Sequence, residues 1–206
     1  MIADLWQAQL TFGLFVFLLT PGFGLSPGLQ RVRLLVFLAI GYIPIAGLSL
    51  ADYMRSFTGD LAITSLVALA YWTAVRTGFA PRQPRAKTLQ IVAVMACLAL
   101  FLYPATMGLS YLDPYRLGYQ PRPLILFVGL LTLALLALQN RLGACMLALA
   151  TLAFSVGLKS ATNYWDYLID PFIALYSCFA LIGYAISRLW RNGSAKRRDA
   201  LSSQPG

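Results

Sequence analysis

The sequence predicts an all-α fold, a polytopic helical bundle that crosses a membrane about seven times with its N-terminus outside and its C-terminus in the cytoplasm. Three observations carry this. Of the 206 residues 59% are hydrophobic and only 11% charged, with a mean hydropathy of +0.71, whereas a soluble domain carries about 25% charged residues. The apolar residues gather into runs near the roughly 20 residues that cross a bilayer. Basic residues between the runs fall mostly on alternate, inward-facing segments.

The first run, 5 to 25, has no Lys or Arg before Arg31 and only Asp4 as an early charge. It lacks the basic leading region of a cleaved signal and reads as a retained span. If it lies along the surface instead, six spans remain and every later loop keeps its side. The second run, 34 to 50, holds Pro44 in GYIPIAG, and the fourth, 89 to 109, holds Pro104 in LYPATMG. Each proline is expected to bend its helix by removing a backbone donor. The third, 61 to 79, has Arg76 near its inner end, where a long side chain snorkels to the interface. Residues 124 to 158 are too long for one crossing at about 1.5 Å per residue. They divide into 123 to 139 and 143 to 158 with a turn at Asn140, Arg141, Leu142 and Gly143. The last run is 172 to 190. Residues 1–191 thus form one transmembrane domain, and 192–206, NGSAKRRDALSSQPG, have the polar, basic composition of a disordered cytoplasmic tail.

This threading puts Arg31, Arg33, Arg76, Arg82, Arg85, Lys87, Arg141, Arg188, Arg191, Lys196, Arg197 and Arg198 inside. Only Arg55, Arg116, Arg122 and Lys159 remain outside. The excess follows the positive-inside rule and places the chain in a membrane such as the bacterial cytoplasmic (inner) membrane. Six of the seven Asp fall outside, with Asp199 the exception.

Composition also excludes chemistry. Glu and His are absent, which removes imidazole as ligand or base and leaves Asp, Lys, Tyr and Cys for proton transfer. Cys97, Cys145 and Cys178 lie in separate apolar runs without metal-ligand spacing, so they read as small buried side chains. No metal and no cofactor is expected. The basic balance is accounted for by loop bias, so nucleic acid is not an expected partner. No charge sits at the middle of a span, which argues against ion-coupled transport, proton pumping and voltage sensing.

Two outer loops hold the remaining polar chemistry, Ser110 to Pro123 (SYLDPYRLGYQPRP) and Lys159 to Pro171, within KSATNYWDYLIDPF. Asp170 followed by Pro171 reads as a helix N-cap, since Asp accepts an orphan N–H and Pro needs no donor at the first helical position. Asp113 before Pro114 reads as the cap of a short turn ending at Gly118. Asp166 lies four residues before Asp170, and on a helix those like charges would share a face and repel. Arg116, Arg122 or Lys159 would relieve that repulsion. Tyr164, Trp165 and Tyr167, with Tyr111, Tyr115 and Tyr119 opposite, fit an aromatic belt at head-group depth.

Asp166, Arg116 and Trp165, with Asp113, Tyr115, Tyr164, Tyr167 and Arg122, are therefore the candidate outer-face contact site. The first functional expectation is a non-catalytic membrane subunit whose loops 110–123 and 159–171 dock a partner protein or a lipid-linked glycan in cell-envelope assembly. Membrane lipids and another membrane or envelope protein are then the expected partners. The second is an outer-leaflet enzyme on a lipid-linked substrate, with Asp166 or Asp113 as base and Arg116 or Arg122 holding phosphate. The third is an uncoupled facilitator or flippase hinged at Pro44 and Pro104.

Overall fold

Every apolar run but the second becomes a helix over most of its length. A computed structural model describes residues 5–109, 111 and 113–202. In chain order the elements are α1 (Leu5–Leu19), α2 (Pro27–Ile40), β1 (Pro44–Ile45), β2 (Leu48–Ser49), α3 (Leu50–Thr58), α4 (Ile63–Arg76), α5 (Arg85–Thr106), a 3-10 turn (Pro114–Gly118), α6 (Arg122–Ala137), α7 (Arg141–Ser155), α8 (Trp165–Leu168) and α9 (Pro171–Ser202). The fold is all-α. Its only sheet among the described residues is the two-stranded hairpin.

That hairpin corrects the second run. The helix stops at Ile40, and Pro44 opens a strand instead of bending a helix. Ala46 and Gly47 both take positive φ, 49° and 89°, as a two-residue hairpin turn requires. Pro44 has no N–H for a helix, and Gly47 takes that left-handed conformation at little cost. Ser49 then starts α3 with a capping box, accepting from the Asp52 N–H while the Asp52 carboxylate accepts from the Ser49 N–H, which satisfies two orphan donors. Pro104 does lie within its helix. Asn140 makes the expected turn between α6 and α7, its Oδ1 accepting from the Gly143 N–H at 3.1 Å.

The helices run alternately up and down, and the hydrogen bonds between distant segments sort by end. At one end Arg31 donates to the Thr77 carbonyl, Asn140 to the Lys87 carbonyl, and Lys87 Nζ to the Leu138 carbonyl. At the other, Gln7 and Lys159 donate to the Leu61 carbonyl and Asn163 to the Tyr115 carbonyl. The threading predicted from the sequence assigns the first end to the cytoplasm and the second, the predicted outer end, to the opposite side. Helix α7 packs between α4 and α6, α1 packs on α2, α3 and α4, and α5 pairs with α9.

The core is centred on Met95, Met146, Leu147, Val128 and Ala150. Large apolar side chains also cover the outside, among them Leu35, Leu126, Leu133, Leu152 and Phe179. Two helices, α5 and Pro171–Arg188 of α9, are long and apolar enough to cross a membrane, while α1, α4, α6 and α7 are apolar but shorter. Cys97 and Cys145 face outward and not into the core, and all three cysteines are free thiols. The helix α9 runs on to Ser202, into the stretch whose composition suggested disorder. Ala, Lys, Arg and Leu are good helix formers, and extending an established helix avoids the cost of nucleation.

Candidate functional site

The segment 159–170 is a buried keystone at the outer end, and this changes the reading of most of its residues. Tyr164, Trp165 and Tyr167 are 0%, 1% and 1% exposed, the three largest fully buried side chains. They are core residues, not an interfacial belt. Trp165 Nε1 donates to the Pro114 carbonyl at 2.8 Å, the Tyr164 hydroxyl meets that of Thr151 at 2.6 Å, and the Tyr167 hydroxyl donates to the Lys159 carbonyl at 2.9 Å. Each aromatic ring fills the space between helix ends while its polar tip finds a partner, as burial of Tyr and Trp requires.

Asn163 ties the two outer loops together. Its amide donates to the Tyr115 carbonyl at 3.0 Å and its Oδ1 accepts from the Trp165 N–H at 2.9 Å. It passes so close to Gly118 that a Cβ there would overlap Oδ1 and lie 2.6 Å from Cγ. Gly118 is therefore required by close approach. Asp113 caps the 3-10 turn, accepting from the Arg116 N–H at 3.3 Å.

Asp166 and Asp170 do not share a helix face. Helix α8 is four residues long, and Ile169 is extended, with φ −150° and ψ 141°, so the chain turns between the two carboxylates. Asp170 accepts from the N–H groups of Phe172 and Ile173 at 2.9 Å each, the cap of α9, and from Ala62 N–H at 2.8 Å, where α4 begins. One buried carboxylate thus caps α9 and ties it to the residue that precedes α4. Asp166 is half-buried and accepts from the Tyr115 hydroxyl at 3.1 Å.

Burial, the charge and hydrogen bond of Asp166, and Tyr119 together push the Tyr115 phenol well above its ordinary value. Tyr115 therefore stays protonated and serves as a donor. Burial likewise pushes the Tyr164 phenol up to about 12, against a smaller lowering by its bond to Thr151.

Of the three cations expected to relieve Asp166, Arg116 and Arg122 are exposed and have no ion pair among the described residues. Lys159 is the buried cation. It is 6% exposed, and its ammonium donates to the carbonyls of Asp60, Leu61 and Asp166 at 3.2, 2.9 and 2.9 Å. Carbonyl oxygens carry partial negative charge and replace the lost water. Lys159, Asn163 and Gly118 are the residues that sequence reasoning undervalued. Lys159 was legible only as one of three loop cations near Asp166, because two of its carbonyl partners, Asp60 and Leu61, lie about a hundred positions away.

Of the polar and aromatic candidates in loop 110–123, Tyr111, Asp113, Arg116, Tyr119 and Arg122 remain exposed. Below the 3-10 turn an apolar groove of about 550 Å³ runs between α5 and α6, lined by Cys97, Phe101, Leu117, Pro123, Phe127 and Trp165 among others. Arg116 and Arg122 each stand one residue from a lining residue, Leu117 and Pro123. Neither arginine side chain has a partner among the described residues. The face thus carries two exposed arginines that neighbour the apolar slot in sequence without lining it. Of the candidate carboxylates, Asp170 is saturated by three N–H groups and Asp166 is held by Tyr115, which leaves Asp113, exposed and accepting the Arg116 N–H, as the accessible one. Among the described residues no three His, Cys, Asp or Glu side chains come together. No protein-family model, curated protein or solved structure matches the chain at a significant level.

Proposed function

We propose that the chain is a seven-span protein of the bacterial cytoplasmic membrane, a non-catalytic subunit whose outer face docks a lipid-linked glycan during cell-envelope assembly. The threading is supported by the two ends of the bundle. Arg31, Arg76, Arg82, Arg85 and Lys87 gather at one end, and Asp52, Asp60, Asp113, Asp166 and Asp170 lie at the other. Because α1 packs lengthwise on α2 and α4, the seven-span threading is favoured over one with the first run on the surface. Helix α2 rises only about 21 Å at 1.5 Å per residue, and the hairpin at 44–49 completes that crossing.

The observation that carries the docking reading is that Arg116 and Arg122 are exposed and each next in sequence to a residue lining the groove between α5 and α6. A lipid chain fits an apolar slot, and planar guanidiniums match the phosphate that links such a chain to its sugar. The loops are locked by Asn163, so the arginines stand on a preorganised platform and binding orders fewer groups. The enzymatic alternative rests on Asp113 alone, the exposed carboxylate beside Arg116, since Asp166 and Asp170 are engaged in hydrogen bonds.

The test is purification in mild detergent followed by identification of bound lipids, with wild type compared to the double variant Arg116→Gln, Arg122→Gln. A phosphate-linked isoprenoid glycan retained by wild type and lost from the variant is the expected result. Equal retention by both would overturn the docking reading, and labelling of a cysteine at Gln120 only from the cytoplasm would overturn the threading.

A further inference from the structure

A second and larger cavity runs along the bundle, bounded by α1 and α4 on one side and α5 and α9 on the other, with the start of α7 behind. Its volume is about 850 Å³, within the roughly 300–1,000 Å³ typical of small-molecule sites. Its long wall is one face of α4, where Ser65, Ala68, Leu69, Trp72 and Arg76 recur at helical spacing. From Ser65 to Arg76 that wall rises about 16 Å at 1.5 Å per residue.

The polar groups of the cleft are unevenly placed. Arg76, Arg82 and Thr88 line its basic end, and no carboxylate lines it anywhere. Arg76 is committed to the fold, since its guanidinium donates to the carbonyls of Phe17, Leu18 and Thr20 that end α1. Arg82 is exposed and has no hydrogen bond or ion pair among the described residues. An apolar slot ending at an unneutralised arginine is complementary to an amphiphile with a negative head. At the far end Ser65 is 6% exposed and its hydroxyl has no partner. A helical serine ordinarily turns to the carbonyl four residues back, but the Leu61 carbonyl already accepts from Gln7 and Lys159.

We propose that this cleft holds one anionic phospholipid of the cytoplasmic leaflet, its phosphate on Arg82 and one acyl chain laid along α4 toward Ser65. The proposal rests on the membrane threading above but not on the outer-face docking reading. Occupancy would fill the gap between α4 and the α5–α9 pair, so the lipid would act as a structural wedge between two halves of the bundle.

The full chain, purified in a neutral maltoside detergent, is titrated with phosphatidylglycerol and with phosphatidylcholine of matched chains, and bound lipid is counted by native mass spectrometry. Wild type should prefer phosphatidylglycerol by about fivefold or more, the worth of one basic residue near a membrane surface. Arg82→Gln should bring that preference close to one while retaining chain binding. Ala68→Phe, which fills the middle of the cleft without touching Arg82, should weaken both lipids alike.

Equal binding of the two lipids by wild type, or an unchanged preference in Arg82→Gln, would overturn the proposal. So would loss of binding in Ser65→Ala alone, which would mark an occupant anchored by a hydroxyl contact at the opposite end. Release of the unaltered protein from membranes by alkaline carbonate would instead overturn the membrane threading itself.

Discussion

Replacing Asp170 by Asn separates an ordinary helix cap from a carboxylate that also holds the residue preceding α4. At an N-cap Asn serves about as well as Asp, so on sequence alone the change is mild. In the fold, Oδ1 serves Phe172 and Ile173 while Oδ2 serves Ala62, and the residue is only 6% exposed. An amide keeps one carbonyl oxygen, so whichever way it turns, its NH2 group faces a backbone N–H. The change therefore removes at least one bond to a charged acceptor and strands a buried donor, at a cost of about 1.5–3 kcal/mol. Asp170→Ala removes all three bonds, the cap included, at about 2–5 kcal/mol. With about 2–4 °C per kcal/mol for a chain of this size, Asn should lower the unfolding midpoint by roughly 3–12 °C and Ala by more. Thermal unfolding in detergent, followed by tryptophan fluorescence at one fixed scan rate, reads the difference. An Asn variant indistinguishable from wild type would refute the shared-carboxylate reasoning, as would Ala and Asn variants that unfold together.

Four further outcomes follow from the keystone and the loop beside it. Gly118→Ala should cost about 1–3 kcal/mol through overpacking against Asn163, and Asn163→Gly in the same chain should relieve part of it, read in the same unfolding assay. Lys159→Met should destabilise by about 2 kcal/mol or more, because the carbonyls of Asp60, Leu61 and Asp166 lose a charged donor. Arg116→Ala should stay within about 0.5 kcal/mol of wild type. The Tyr164 phenol is raised in the folded state, so its contribution is complete below the ordinary tyrosine value near 10 and is lost as pH rises toward about 12. Stability should therefore fall across that window, and Tyr164→Phe should flatten part of the fall.

The amino-acid sequence determined by itself the quantities that depend on composition and spacing along the chain. Helical class, the turn at Asn140, Pro104 within its helix and the separation of basic from acidic loops all follow from local pattern, because a bilayer-length apolar run and a cap are local physical requirements. Asp170 was legible as a cap for the same reason. Tertiary structure alone decided which side of the keystone faced inward. Tyr164, Trp165 and Tyr167 have the composition of a lipid interface, yet they are buried because the ends of α4, α5, α7 and α9 leave a space that large rings fill.

Pairing was equally hidden. Asp166 was matched to Arg116 by charge, but charge has no range along the sequence, and the fold gave Asp166 a tyrosine and Lys159 a set of backbone carbonyls. The second run misled because hydropathy does not distinguish a helix from a hairpin, whereas Pro44 and Gly47 do once the chain on either side is fixed. Neither groove could be read in advance. A cavity is what helices fail to fill when they pack, and that is settled by side chains from five helices meeting in space.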